Sequence, residues 1–427
     1  MKTVVKPNKK DWALLMQRPV VEQKELFKLV NQIFAEIRKD GDKAVKKYNH
    51  FFDKVDLEHL KVSDKQLNNS VKKVSNELQD AIKLAICNIE KFHDAQQEKK
   101  QMIETTTGVM CWRESRPIEK IGIYIPGGSA PLFSTVMMLG VPAKLAGCKE
   151  IVLCTPPDKN GEINPAILFA AKLVGVSKIF TVGGIQAVGA MTFGTKSIPK
   201  VDKIFGPGNQ YVTAAKQVAQ NFGVAIDMPA GPSELLVIAD KFCIPEFVAA
   251  DLLSQAEHGA DSQVILLSDS EQVVEQLLQE INKQLKKLPR KDIAENALKN
   301  SKLIVLMSID ECIAFSNKYA PEHLILAVKK YADYTKKINN AGSVFLGNYS
   351  CESAGDYASG TNHTLPTKGY ARNYSGVSLD SFVKKITFQE LSEEGIKNIG
   401  PAIEIMAEAE QLIGHKNAVT VRLKNVK

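Results

Sequence analysis

Apolar residues recur with helical periodicity from about Val21 to His93. VEQKELFKLVNQIFAEIRKDG keeps that period and stops at Gly41, and LQDAIKLAICNIEKFHDAQ repeats the pattern. From Val109 the period changes. Short apolar runs (IGIYI, EIVLC, KIFTV, KIFG) alternate with helix-like stretches, and Gly/Pro-rich turns follow them: PGGSAP, TPPDKNG, GGIQAVGA and GPGNQYV. This alternation predicts β-α-β units and a parallel sheet. ELLVIAD, QVILLS, KLIVLM and SVFLG form a second series of strands. A long polar loop then runs from Gly347 to about Ser375. A helical pattern returns in EGIKNIGPAIEIMAEAEQLIG, and the closing AVTVRL reads as a short strand. The expected fold is α/β, with two Rossmann-like parallel-sheet domains, a helical N-terminal part and a small C-terminal tail domain. The parse gives an arm over residues 1–20 and an α/β domain made of 21–123, with the N-terminal helices, plus 235–375. A second Rossmann-like domain covers 124–234, and a tail of helix and strand covers 376–427. One α/β unit is then inserted into the other, with hinges near Pro126 and Pro232.

The length of 427 residues agrees with two or three domains. Hydrophobic content of 44% and charged content of 24% are those of an ordinary globular chain. Seven cysteines, an odd count without C-x-x-C spacing, argue against a disulfide framework and for a reducing, cytoplasmic setting. The basic start MKTVVKPNKKDWALL has no apolar core behind it, so no secretory signal is expected, and no apolar run is long enough for a bilayer. The net charge of +7 comes from lysines spread among acidic residues, as in KDGDKAVKKYNHFFDKVD. That pattern is a solvated face rather than a nucleic-acid site, so neither nucleic acid nor membrane is an expected partner. The mild positive charge also suits an anionic cofactor.

The Gly-rich turns each follow a strand and open a helix, where free backbone N–H groups favour an anion. FGPGNQY has the first two glycines of a dinucleotide fingerprint and Tyr211 where the third would stand, so the case for a nucleotide is architectural only. Any one such turn is equally well a tight turn and nothing more. Several at consecutive strand ends point to a ligand rim.

Four of seven histidines, His258, His323, His363 and His415, sit in polar motifs of the C-terminal half. His50, His59 and His93 lie in charged amphipathic stretches and read as surface residues. In DLLSQAEHGADS, Gln255 and His258 share a helical face before Gly259 ends the helix, while Glu257 points away. The alternative is a capped, solvated helix end. The Gly-rich loop ESAGDYASGTNHTLPT suits binding better than linking, and offers Glu352, Asp356 and His363. His415 follows Gly414, with Glu410 upstream. Gln255, His258, Asp356 and His415 together form an N/O donor set suited to zinc. In APEHL, Glu322 and His323 begin a strand and face opposite sides, which suits an acid–base pair better than two ligands of one metal. A surface dipeptide is the alternative. Cys154 ends EIVLC; a thiolate nucleophile is conceivable there, but a buried strand-end cysteine is the commoner case.

IGIYIPGGSAPLFSTVMM, VDKIFGPGN, IDMPAGPSE, DLLSQAEHG, PEHL, AGSVFLG, SAGDYASGTNHTLPT and HKNAVTVR together resemble the histidinol dehydrogenase family over nearly the whole chain. The resemblance implies oxidation of L-histidinol to L-histidine through L-histidinal, the last two steps of histidine biosynthesis, with two turnovers of NAD. It implies one Zn2+ per subunit on Gln255, His258, Asp356 and His415, and proton transfer by Glu322 and His323. It implies substrate contacts from Ser233, Glu410 and His323 besides those four ligands, and NAD against Tyr124, Gln186 and Asn209. It also implies a homodimer in which the tail supplies Glu410 and His415 to the partner's site. Three other readings stay open on the residues alone. They are a sister dehydrogenase of another primary alcohol, a zinc hydrolase with Glu322 as base, and a metal-binding module without chemistry.

Overall fold

The apolar runs without alternation become parallel strands covered on both faces. A computed structural model describes residues 1–19, 24–127, 130–229 and 231–426. It divides into two compact units, Met1–Ala95 with Ile118–Ser381, and Gln96–Pro117 with Phe382–Lys427.

The larger unit carries two parallel sheets. In the first, the strands lie in the order Lys178–Thr181, Glu150–Thr155, Lys120–Tyr124, Lys203–Phe205, Ala225–Ile226. In the second, the order is Lys2–Val5, Lys302–Val305, Gln263–Ser268, Glu234–Ala239, His323–Ala327, Ser343–Leu346. Apart from the added N-terminal strand, both follow one plan. The earliest strand is central, the next two lie to one side and the last two to the other. That is the Rossmann order, and it leaves a crevice where the chain reverses direction across the sheet. In the second sheet Leu235, Val237 and Ala239 enter the core on one face, while Leu236 and Ile238 enter that on the other. Every residue of Glu234–Ala239 and Gln263–Ser268 is buried.

Several expectations are corrected. The N-terminal helices were expected with the 235–375 segment, but Leu26, Val30, Ile33, Phe34 and Ile37 of the Lys24–Asp40 helix pack into the core of the first sheet. The part of that helix expected over residues 21–23 lies outside the described residues. Lys2–Val5, expected as an arm, is an edge strand paired in register with Lys302–Val305. His93, expected at the surface, is fully buried, because it continues the Ile82, Ala85, Ile89 face of the Asn76–Asp94 helix; its Nδ1 lies 2.9 Å from the Ile89 carbonyl. The closing strand expected over AVTVRL is part of a helix, Ile413–Leu423.

The smaller unit is an antiparallel sheet followed by two helices. Met102–Thr106 and Val383–Leu391 flank Val109–Pro117, and the latter two pair over nine residues from Val109–Leu391 to Pro117–Val383. Residues 96–117 therefore join the C-terminal tail and not the α/β segment assigned to 21–123. The Glu393–Ala409 and Ile413–Leu423 helices pack closely at Gly400, where a Cβ would lie 2.9 Å from Leu423. Among the described residues no helix is long and apolar enough to cross a membrane.

Candidate functional site

Two groups of residues stand out in the larger unit, one at the carboxyl edge of the first sheet and one at the amino edge of the second. The carboxyl edge carries Tyr124, Gln186 and Asn209. Tyr124 ends the central strand, and its hydroxyl accepts the Gly184 N–H at 3.1 Å. Gln186 lies in the first turn of the Gly184–Phe193 helix, fully buried. Its Nε2 donates to Asn49 and Asp53, both at 3.3 Å, while its Oε1 has no hydrogen-bond partner among the described residues. Burial pushes the Asp53 carboxyl up to about 6. Asn209 caps the Gln210–Ala219 helix by accepting the Tyr211 and Val212 N–H groups at 3.0 and 3.2 Å. Tyr124 and Asn209 thus flank the reversal point between neighbouring strands, the place where doubly wound sheets take ligands.

The turn before Asn209 is fixed from below. Gly206 adopts φ +125°, and a Cβ there would lie 2.0 Å from the Tyr124 carbonyl oxygen, so only glycine fits. Its N–H donates to Asp227 Oδ2 at 2.8 Å and its carbonyl accepts from Lys216 Nζ at 2.8 Å. Lys216 and Asp227 themselves form a buried ion pair. Lys216→Met is expected to leave a buried carboxylate without its cation, at a cost of about 3–5 kcal/mol in unfolding free energy. Denaturant unfolding would measure it, and an unchanged midpoint would refute the clamp.

At the amino edge of the second sheet, His323 is the first residue of its strand and pairs with Leu235, which sets Glu322 beside Glu234. Glu322 Oε2 accepts the Glu234 N–H at 2.8 Å. His323 Nδ1 lies 3.3 Å from the Glu234 carbonyl, 3.7 Å from Glu322 and 3.8 Å from Glu352, and its Nε2 is 3.7 Å from Asp356. Those carboxylate distances exceed hydrogen bonds, and His323 Nε2 is a buried nitrogen with no hydrogen bond among the described residues. Glu352 and Asp356 are one turn apart on the short Glu352–Tyr357 helix, so both face the same pocket. Gln255, fully buried near the end of the Pro245–Ala256 helix, turns its amide nitrogen to Glu352, 3.0 Å from Oε2; its oxygen accepts the Glu234 N–H at 3.2 Å.

Three carboxyls around one imidazole, two of them buried and Asp356 partly so, cannot all ionise. Burial works against charge on His323, but Glu352, Glu322 and Asp356 outweigh it and raise its pKa to about 10. Burial pushes Glu322 up to about 8 and Glu352 well above the carboxylate range. Burial also opposes charge on Asp356, yet the neighbouring His323 holds it below its usual value. One ligand atom from each of His323, Glu352 and Asp356 lies within 4.8 Å of the others, a group able to hold a cation.

The remaining expected residues divide. Ser233 immediately precedes the Glu234 strand, half-buried. The helix bearing Gln255 stops at Ala256, earlier than Gly259. His258 therefore sits in the turn beyond it, exposed, but close enough for its charge to couple to Asp356 and His323. Glu410 and His415 belong to the smaller unit, both exposed, at the junction of its two helices. His363 bridges two segments, with Nδ1 2.9 Å from the Asp356 carbonyl and Nε2 3.0 Å from Thr135 Oγ1. Cys154 is fully buried, which raises its thiol pKa far above the range of a reactive thiolate. Glu352, offered by the loop in the sequence, had no role assigned there, although its i, i+4 spacing to Asp356 was visible. Sequence reasoning also missed Glu234, whose part is played by backbone atoms.

The histidinol dehydrogenase family model matches residues 16–423. The chain is 58% identical to the histidinol dehydrogenase of Bacteroides thetaiotaomicron, over the full length of both. It is 52% identical to that of Vibrio parahaemolyticus, over 96% of this chain and 95% of the other. The crystal structure of histidinol dehydrogenase from Elizabethkingia anophelis superposes with a TM-score of 0.98 at 65% identity, covering 99% of this chain and 98% of that one. An acetylating aldehyde dehydrogenase from Geobacillus thermoglucosidasius shares the fold alone, with a TM-score of 0.51 at 14% identity over 89% of this chain and 94% of that one.

Proposed function

The chain belongs to the histidinol dehydrogenase family, and we propose that it oxidises L-histidinol to L-histidine through L-histidinal, with NAD as oxidant in both steps and zinc in the site. It is an oxidoreductase of histidine biosynthesis, and the reactions proposed are the last two steps of that pathway. The observation that carries the reading is the group of buried Glu322, His323, Glu352 and Gln255 with partly buried Asp356 at the amino edge of the second sheet. So much potential negative charge beside an imidazole nitrogen that makes no hydrogen bond among the described residues suits a cationic occupant.

The donor chemistry fits a metal. Gln255, His258 and Asp356 of the larger unit, with His415 of the tail, would hold it. Bound zinc supplies Lewis acidity and an anchor for the amine and imidazole nitrogens of the substrate. NAD at the rim of Tyr124, Gln186 and Asn209 supplies the hydride acceptor.

His323 takes the hydroxyl proton as the alcohol carbon is oxidised. It must be neutral to do so, and the carboxylates that hold it protonated are those whose field a divalent charge offsets. Glu322 removes a proton from the water that adds to the aldehyde, and His323 takes the hydroxyl proton of the resulting hydrate in the second oxidation. Ser233, Glu410 and the ligand set orient the substrate, and an aldehyde so held has no need to leave between steps.

The assembly we propose is a homodimer in which Glu410 and His415 complete the partner's site. Ile405, Met406, Leu412 and Ile413, exposed around those two residues, support a covering partner. Seven free cysteines suit a reducing, cytoplasmic setting.

The test is NADH formation from L-histidinol with product analysis. Two NADH and one L-histidine per histidinol are expected. One NADH with free histidinal would overturn the two-step reading, and no NADH would overturn the function.

A further inference from the structure

We propose that Arg18 is a positioning residue for the Glu322–His323 pair, acting through Glu234. The proposal rests on the reading of that pair as the acid and base. Arg18 lies just beyond the Trp12–Leu15 helix, whose Trp12 and Leu15 are buried in one core of the second sheet. Its guanidinium grips Glu234 with a two-pronged contact, Nε to Oε1 at 2.5 Å and Nη2 to Oε2 at 2.9 Å. Nη2 also donates to the Tyr319 carbonyl at 2.8 Å, and the guanidinium carbon stacks 3.8 Å from the centre of the Tyr319 ring. The Lys368 N–H adds a third donor to Glu234, at 2.8 Å from Oε1. The Glu234 side chain, 3% exposed, therefore has no freedom to turn.

The backbone of Glu234 is where three site residues meet. Its N–H donates to Glu322 at 2.8 Å and lies 3.2 Å from the Gln255 oxygen, and its carbonyl faces His323 at 3.3 Å. Glu234 is also the first residue of its strand, with a register partner, Gln263, on one side only. Fixing its side chain is thus what fixes the residue that spaces acid, base and amide. A buried ion pair adds little net stability against an apolar substitute, so stability alone is a poor reason for this one. A lysine at position 18 keeps the charge but cannot make the two-pronged contact.

The experiment is steady-state kinetics of histidinol oxidation by the zinc-loaded full chain, wild type against Arg18→Lys and Arg18→Ala. Arg18→Lys is expected to lose about tenfold or more in kcat, since small misplacements of reacting groups cost that much, with KM for histidinol within about twofold. Added guanidinium is expected to restore kcat in Arg18→Ala. In a Glu322→Gln background, Arg18→Lys should cost far less than it does alone, because the two changes act on one unit. A wild-type kcat in Arg18→Lys, or a full independent loss in the double variant, would overturn the proposal. If Arg18→Ala does not fold, the Arg18→Lys comparison decides alone. A wild-type chain inert towards histidinol would instead overturn the functional reading beneath it.

Discussion

His323→Asn and Glu322→Gln are each expected to lower kcat by about 10²–10⁴-fold, the range for removing a positioned acid or base, with much smaller changes in KM for histidinol and NAD. Both changes conserve shape. The amide oxygen of glutamine can still accept the Glu234 N–H that Glu322 holds at 2.8 Å, so the pocket should keep its form while losing its proton acceptor. The two losses should also differ in kind. In the proposed mechanism His323 serves both oxidations and Glu322 only the hydration between them, so on that reading Glu322→Gln should slow histidinal oxidation more than histidinol oxidation. The pH dependence has a defined sign. Burial holds the Glu322 carboxyl up to about 8, and a base acts only when ionised. The rate should therefore rise with pH through the neutral range and fall on acidification, and Glu322→Gln should flatten that limb. A Glu322→Gln enzyme with wild-type kcat, or with the limb intact, would remove the residue from the chemistry.

Much of this site was legible in the sequence because the residues that carry it announce themselves locally. Glu322 and His323 stand between Pro321 and an apolar strand, and Gln255 stands near the end of an apolar helix, where a buried amide requires a partner. The two parallel sheets were legible for a similar reason. Strands such as ELLVIA and QVILLS are buried on both faces, so they carry no polar alternation and end in turn residues.

What stayed hidden depends on contacts between distant segments. Glu234 contributes backbone atoms, which no residue type advertises, and its clamp comes from Arg18, 216 residues away. The antiparallel sheet was missed because its strands are only partly buried and weakly patterned, and its pairing joins residues 109–117 to 383–391. The AVTVRL segment carries β-branched residues, yet it forms a helix. Gly400 lets Leu423 approach the preceding helix, and Thr420 turns its hydroxyl to Glu404 and to the Lys416 carbonyl, so tertiary packing overrides propensity. His93 shows the converse, since a polar residue in a charged stretch was placed by helical phase in a buried row.

Removal of the metal is expected to abolish histidinol oxidation, and zinc added back to restore it, because the substrate then loses its anchor and the pocket its counter-charge. Activity that survives complete chelation would sink the metal assignment. Glu352 offers a graded form of the same test. Glu352 contacts the Gln255 amide and lies 3.8 Å from His323, so Glu352→Gln should weaken metal retention by about 10–100-fold, the usual effect of a group that orients a ligand. Dialysis against a chelator at graded strength would read that directly. His415→Asn should lose the metal as Gln255→Ala or Asp356→Asn does, although His415 lies in the other compact unit. Mixed dimers separate the two ways this can happen. If each tail completes the partner's site, chains carrying His323→Asn and chains carrying His415→Asn are each inactive alone. Together they form dimers in which one site pairs an intact body with an intact tail. Unfolding the two variants together and refolding the mixture should then recover activity that neither shows by itself. If His415 serves its own chain, no pairing yields an intact site, and the mixture stays as inactive as its parts.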